Sequence, residues 1–239
     1  MRTTRILTPL AVVVLAAGAA VAVPMAASAD TPSPSSSPHA PASLSDVQAR
    51  ATAAAGRQVD ALTAEITRIT ADKTLSDDDR ATALAILNDD LTGIRTLESD
   101  ISSATTVKQV RADERTAAAS YRVREVALPE VRWAARIDAV TTTVLPRLQA
   151  EQTKLTAALA KHADKSTSAL TDALNDLGTQ ISTAQSDANG VAASALALSP
   201  ATVAADDQAL PRVRAQVKAV EDAVHQANQD AKTVRTGLR

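Results

Sequence analysis

The residues best suited to bind a ligand lie in the middle of the chain. They are Arg111, Arg115, Arg122, Arg132, Trp133 and Arg136. The first three arginines fall close to one face of a helix, and the last two are one helical turn apart. Guanidinium groups bind phosphate and carboxylate well, and aromatic side chains anchor interfaces. The pattern predicts an interaction surface for an anionic cell-wall polymer or for a partner helix.

A second interpretation of the same residues is structural. Nearby carboxylates can neutralise the arginines, and the candidates are Glu114, Glu125, Glu130, Asp89, Asp90, Glu98 and Asp100. Trp133 would then fill the gap beside a helix kink at Pro129, because an interior proline removes an amide donor and clashes with the preceding turn. In this interpretation the arginines hold the fold together and bind nothing else.

Residues that could catalyse a reaction or bind a metal are sparse. His39, His162 and His225 are far apart in sequence, and none has a second histidine at metal-ligand spacing. The adjacent pairs Asp89-Asp90 and Asp206-Asp207 point in different directions on a helix, so we interpret them as solvated carboxylates. The chain has no cysteine, which excludes thiol nucleophiles, disulfides and thiolate metal sites. We predict no catalytic site, no metal and no cofactor, and therefore a protein that is not an enzyme.

Composition also argues against nucleic acid as a partner. With Arg2 and Arg5 set aside, 23 of the 25 basic residues remain against 27 acidic ones, and the chain has one Trp, one Tyr and no Phe. Phosphate binding needs a basic surface, and single strands also need aromatic side chains on which bases stack.

Residues 1–29 have the organisation of a secretory signal peptide. Arg2 and Arg5 precede an apolar run over residues 6–23, and Ala27 and Ala29 form a small-x-small cleavage site that leaves Asp30 as the first mature residue. The alternative is an uncleaved membrane anchor, since about 18 apolar residues can span a bilayer. We expect cleavage, because Pro24 ends the apolar helix just before the site.

Residues 30–43 predict a disordered spacer. Four prolines are interleaved with four serines over residues 31–42, so this stretch neither forms a helix nor buries apolar surface. One interpretation is a stalk, with or without O-linked glycans, that holds the folded part away from the envelope. The other is a disordered segment that eases processing of the signal peptide.

From residue 44 onward, apolar residues recur at helical steps of three and four. The first stripe is Val47, Ala51, Ala55, Val59, Leu62, Ile66 and Ile69, and the second is Leu84, Leu87, Leu91, Ile94, Leu97 and Ile101. Ser76 can cap the second helix, with Asp77, Asp78 and Asp79 in its first turn. The short connection predicts antiparallel packing of these two helices.

Three further helical regions follow. The first runs from about residue 106 to 164 and should kink or split at Pro129 and Pro146. The second spans residues 170–191, and the third carries a heptad-like stripe from Leu210 to Leu238. Residues 192–209 between the last two predict a loop and a short helix. The fold class is therefore all-α, an elongated antiparallel and coiled-coil-like bundle of about five long helices over residues 44–239.

One central segment gives the chain its most individual sequence. Residues 121–131 read YRVREVALPEV, residues 134–138 read AARID, and residues 75–80 read LSDDDR. Together with the terminal helix, these segments resemble a group of uncharacterised secreted, coiled-coil-like helical proteins of actinobacteria. The resemblance covers most of residues 47–239 and implies an extracellular location and a helical architecture. It implies no active site.

These observations predict a secreted, non-enzymatic helical protein that acts as a structural or interaction module, held at the cell envelope without a covalent bond or released. The alternatives are a binding module for an anionic envelope polymer or for another coiled coil, including a homo-oligomer formed through the Leu210–Leu238 stripe, and, third, an enzyme. The membrane is expected as a partner only through residues 1–29, if they are not cleaved.

Overall fold

The computed structural model describes residues 43–239, and 86% of them are helical with no strand in this part of the chain. The all-α prediction is confirmed for these residues. The predicted signal peptide, its cleavage residues Ala27, Ala29 and Asp30, and spacer residues 30–42 lie outside the described residues.

Residues 43–239 form nine α-helices, two of them short. They are α1 (Leu44–Ala71), α2 (Asp77–Ser103), α3 (Val107–Ser120), α4 (Ala127–Ala139), α5 (Leu145–Lys161), α6 (Ser168–Ala188), α7 (Val191–Leu196), α8 (Pro200–Ala205) and α9 (Ala209–Gly237). A π-helical turn, Val140–Val144, joins α4 to α5, and a 3₁₀ turn, Ala163–Lys165, follows α5.

Helices α1 and α2 form the predicted antiparallel pair. The Ser76 side chain accepts a hydrogen bond from the Asp79 amide and caps α2, whose first turn carries Asp77, Asp78 and Asp79. At the opposite end, Gln48 near the start of α1 donates from Nε2 to the carbonyls of Ile101 and Ala104 at the end of α2, at 3.1 and 2.8 Å. The start of α1 therefore meets the end of α2.

The predicted break at Pro129 is wrong, whereas the predicted interruption near Pro146 is present as the π-helical turn Val140–Val144 that separates α4 from α5. Pro129 is the third residue of α4, where its missing amide has no partner to lose because first-turn amides are unpaired within a helix. Pro146 follows the π-helical turn, in which the Leu145 amide bonds to the Val140 carbonyl, and the wider turn makes room for the proline ring. The chain instead breaks at residues 121–126, where Arg122 takes a φ of 38°.

The helices pack as two groups that share α4. The first group is α1, α2 and α3, and the second is α5, α6 and α9, while α4 packs against α1, α2, α7 and α9. The main core is almost wholly Leu, Ile, Val and Ala and runs through both groups. A smaller cluster of Val47, Ala51, Ile101 and Val110 closes the far end of the first group.

Helices α6 and α9 make the most extensive helix pair of the fold, and they run antiparallel, since Gly237 at the end of α9 lies against Leu170 at the start of α6. The predicted stripe on α9 is largely confirmed as a buried face. Because α6 covers this face within one chain, a second copy would have to bind elsewhere. Residues 192–209 contain most of α7 and all of α8, so this segment holds two short helices where one was expected.

None of the helices in residues 43–239 combines the length and the apolar character needed to cross a membrane.

Candidate interaction surface

The structure brings part of the predicted arginine set together in a hollow between α1 and α4. Arg132 and Arg136 lie one turn apart on α4 and face Arg68 and Asp72 of α1 across a space of about 460 Å³. Glu65 lies at the base of this hollow. We call this set the basic hollow: Glu65, Arg68, Asp72, Arg132 and Arg136.

Glu65 holds two of these arginines in place. Its side chain is 3% exposed, and Arg68 contacts Oε1 at 2.5 Å while Arg132 contacts Oε2 at 3.1 Å. Burial pushes the pKa of Glu65 upward, but the hydrogen bonds from the two arginines outweigh it, and the pKa lies below its ordinary value. The ionised carboxylate therefore fixes both guanidinium groups, and the arginine side chains stay about half exposed, 44% for Arg68 and 56% for Arg132.

Arg136 and Trp133 connect the hollow to α9. Arg136 forms an ion pair with Glu221, with 58% of its own side chain exposed. Trp133 is half-buried, and the Arg214 guanidinium carbon lies 5.9 Å from the centre of its ring, within reach of a cation–π contact. The predicted position of Trp133 beside a kink is wrong, since α4 is not kinked at Pro129.

The remaining predicted arginines lie apart from this hollow. Arg111 and Arg115 are exposed on α3 and do not line it, and Arg122 pairs with Glu125 at 2.8 Å in the 121–126 turn beside Gln58 of α1. The structure thus brings together Arg132, Trp133 and Arg136, and it adds Arg68 and Arg214, which the sequence pattern did not single out.

The carboxylates that pair with the arginines differ from most of those expected. Glu125 pairs with an arginine as predicted. Two of the other predicted arginines pair with Glu65 and Glu221 instead of Glu130 and the acidic residues of α2. Glu130 is itself buried, and its Oε2 accepts no hydrogen bond. Asp90, interpreted as solvated, is half-buried, and burial raises its pKa to about 6 with repulsion from Asp89 adding to the effect. Glu65 and Glu221 could not be identified from the sequence because each lies far along the chain from the arginine it pairs with.

Sequence reasoning missed a second concave surface on the other side of α4. Two adjoining hollows of about 710 and 720 Å³ both contact Ser182 and Ser186 of α6, and together we call them the α6 groove. Its polar α6 residues are Asn175, Thr179, Ser182, Thr183, Gln185, Ser186 and Asp187, and Asn189 follows just after the helix. The signal was present as a polar stripe with steps of four and three along α6, opposite the buried leucines.

Asp138 lies at the end of the α6 groove. Its side chain is 7% exposed, and its Oδ2 accepts a hydrogen bond from the Ser76 amide at 2.8 Å. Burial raises the pKa of Asp138, repulsion from Asp79 and Asp72 adds to this, and the Ser76 amide opposes it. Asp79 also lines this end of the groove, within hydrogen-bonding reach of Asp138.

Within residues 43–239, no group of three or more His, Asp or Glu side chains is arranged to hold a metal ion. His162 ends α5, and His225 is exposed on α9, where its ring bonds to Gln229. His39 lies outside the described residues.

No protein-family model, curated protein or solved structure matches this chain.

Proposed function

We propose that this chain is a secreted, non-enzymatic helical protein that works as an interaction module at the cell envelope. The secretory character rests on the organisation of residues 1–29, and the cysteine-free composition suits a protein that folds by packing alone. The proposed partner is an anionic envelope polymer, that is, a chain bearing phosphate or carboxylate groups.

The basic hollow is the observation that carries this proposal. Three arginines line one concave space, and about half of each side chain stays exposed although they pair with Glu65, Asp72 and Glu221. Glu65 fixes two of the guanidinium groups before any ligand arrives, which reduces the entropy lost on binding. Arg214 over Trp133 adds an exposed cation and an aromatic ring where α4 meets α9, the helix whose Glu221 pairs with Arg136.

Retention on isolated cell walls tests the proposal. We expect the double variant Arg136→Ala/Arg214→Ala of residues 30–239 to lose most of its retention, because both changes remove exposed positive charge from this surface. Both leave the pairing of buried Glu65 intact, unlike a change at Arg132. The retention of the parent chain should also fall as salt is raised, since exposed charges are screened.

The matched control is Arg111→Ala/Arg115→Ala, which removes the same charge from the exposed face of α3. We expect it to be retained like the parent chain. Equal losses in both double variants would mean that general charge drives retention, and undiminished retention of Arg136→Ala/Arg214→Ala would refute a role for the basic hollow. Fractionation of the native host into medium, wall and membrane then tests the location, and a protein found in the cytosol would refute secretion.

A further inference from the structure

The α6 groove has an electrostatic character opposite to that of the basic hollow. Residues 166–211, which include all of α6, α7 and α8, contain no Lys, Arg or His. The formal charges that line the groove are the carboxylates of Asp79, Asp138 and Asp187. An anionic ligand would find no cation there, so the ligand class proposed for the basic hollow does not fit this groove.

The lining of the groove suits a ligand rich in hydroxyl groups. Ser, Thr, Asn and Gln side chains offer both donors and acceptors, whereas a lining of carboxylates alone would offer only acceptors. Ile137, Ala192 and Ala193 give the first hollow a small apolar floor. Alternating hydrogen-bonding groups around an apolar floor match a molecule that has polar edges and apolar C–H faces.

The groove is long enough for a chain molecule. Its polar residues run from Asn175 on α6 to Asn189 just after it, a span of about 21 Å at the helical rise per residue. Gly178 lies where this surface meets α5, and the Gln152 amide occupies the space that a side chain at Gly178 would fill. The Gln152 amide thereby lines the second hollow beside Asn175 and Thr179.

Asp138 provides a fixed acceptor at one end. It is more than nine-tenths buried, it is oriented by the Ser76 amide, and it lies on a different side of α4 from Arg132 and Arg136. Asp79 is the N3 residue of α2, where its amide bonds to the Ser76 side chain, so both carboxyl groups are held by the start of the same helix. We expect Asp138 to accept a hydrogen bond from a hydroxyl group of a ligand at this end of the groove.

We propose that the α6 groove binds an uncharged, hydroxyl-rich chain, namely a segment of a neutral polysaccharide, laid along the polar face of α6 with Asp138 at one end. This site is separate from the basic hollow, so the two can succeed or fail independently.

Calorimetric titration of residues 30–239 with chitohexaose, cellohexaose and maltohexaose tests this proposal. We expect at least one of these neutral hexamers to bind, with an affinity that is the same at low and high salt because no ligand charge is involved. Ser182→Trp should weaken that binding by about tenfold or more, because Ser182 is exposed and lines both hollows. Asp138→Asn should weaken it as well.

The control variant is Thr171→Trp, which places the same ring on an exposed position of α6 outside the groove. It should bind like the parent chain, and circular dichroism checks that both tryptophan variants are folded. Binding to none of the three hexamers would overturn the proposal, and so would equal binding by the two tryptophan variants. De-N-acetylated chitohexaose is the cationic counterpart, and binding of it alone would show that the groove binds cations instead.

Discussion

Glu130 has unfavourable surroundings for a charge. Its side chain is 2% exposed, and the groups around it leave Oε2 without a donor. Burial raises its pKa to about 8, and repulsion from Asp90 contributes. With this pKa, Glu130 is mostly protonated in the folded protein at neutral pH.

This protonation makes stability depend on pH. The folded pKa of Glu130 lies above its ordinary value of 4.5, so the folded state binds more protons and the free energy of unfolding decreases as pH rises from there to about 8. We expect the free energy of unfolding of Glu130→Gln to decrease less over this pH range. At pH 9 it should be higher than that of the parent chain by on the order of 2 kcal/mol. Urea unfolding at a series of pH values measures both quantities.

Glu125→Gln is the matched control, because Glu125 is an exposed carboxylate just before the same helix. Its pH dependence should follow that of the parent chain. An equal slope in Glu130→Gln would contradict the assignment. Glu65 gives the opposite pH dependence. Burial raises its pKa, but the bonds from Arg68 and Arg132 lower it more, so its folded pKa lies below the ordinary value. Protonation of Glu65 weakens these bonds, so its contribution to the free energy of unfolding is lost as pH falls through the folded pKa.

At the scale of helices, the connection between α3 and α4 depends on a glycine in α2. A Cβ added at Gly93 would overlap the ring of Tyr121, the residue that ends α3. Tyr121 thus packs where Gly93 leaves the surface of α2 open. In the sequence, Gly93 is notable only for its low helix propensity. That it leaves space for an aromatic ring becomes visible only when α3 is packed against α2.

We expect Gly93→Ala to destabilise the fold by about 1 to 3 kcal/mol, because the ring must move from a packed position. Gly56→Ala is the control, since an added Cβ there meets nothing within 4 Å, and this change should stabilise α1 by up to about 1 kcal/mol. Thermal unfolding followed by circular dichroism compares the two. The double variant Gly93→Ala/Tyr121→Ala tests the cause. If Gly93→Ala lowers stability as much in the Tyr121→Ala background as in the parent chain, the overlap with the ring is not the cause.

The spacing of apolar residues predicted the helices well, because the buried face of each helix is determined by residues within that helix. Leu170, Leu174, Leu177 and Ile181 are all buried on α6 as their spacing indicates. The turn at residues 121–126 and the π-helical turn were not predictable in this way, since proline was the only local sign of a break. Arg122 takes a positive φ in a turn closed by local bonds from the Glu125 and Val126 amides to its carbonyl, and Pro146 follows the wider π-helical turn.

At the scale of the molecule, the bundle covers its own apolar stripes. The α9 stripe faces α6, and α4 packs against helices of both groups. We therefore expect residues 30–239 to be monomeric, although the heptad-like sequence of α9 by itself predicts a coiled coil between copies. Light scattering over a wide concentration range measures this, and a mass that rises with concentration would contradict it.

The candidate sites were predictable only in part. Arg132, Trp133 and Arg136 stand out by residue type and by spacing within one helix. Glu65 gave no signal, because it lies 67 residues from Arg132 and only the packing of α1 on α4 joins them. The α6 groove needed the positions of α2, α4 and α7 around α6, which no local pattern contains.

The pairing of α6 with α9 has a consequence for the order in which the chain is made. Synthesis proceeds from the N-terminus, so α1 and α2 can close on each other early, and α4 can supply Arg132 to Glu65 soon afterwards. The buried face of α6 can meet α5 early but lacks its most extensive partner, since α9 comprises the last 29 residues of helix in the chain. The second group therefore keeps a leucine-rich surface uncovered until synthesis is nearly complete, and a chain that stops before α9 is released with that surface exposed.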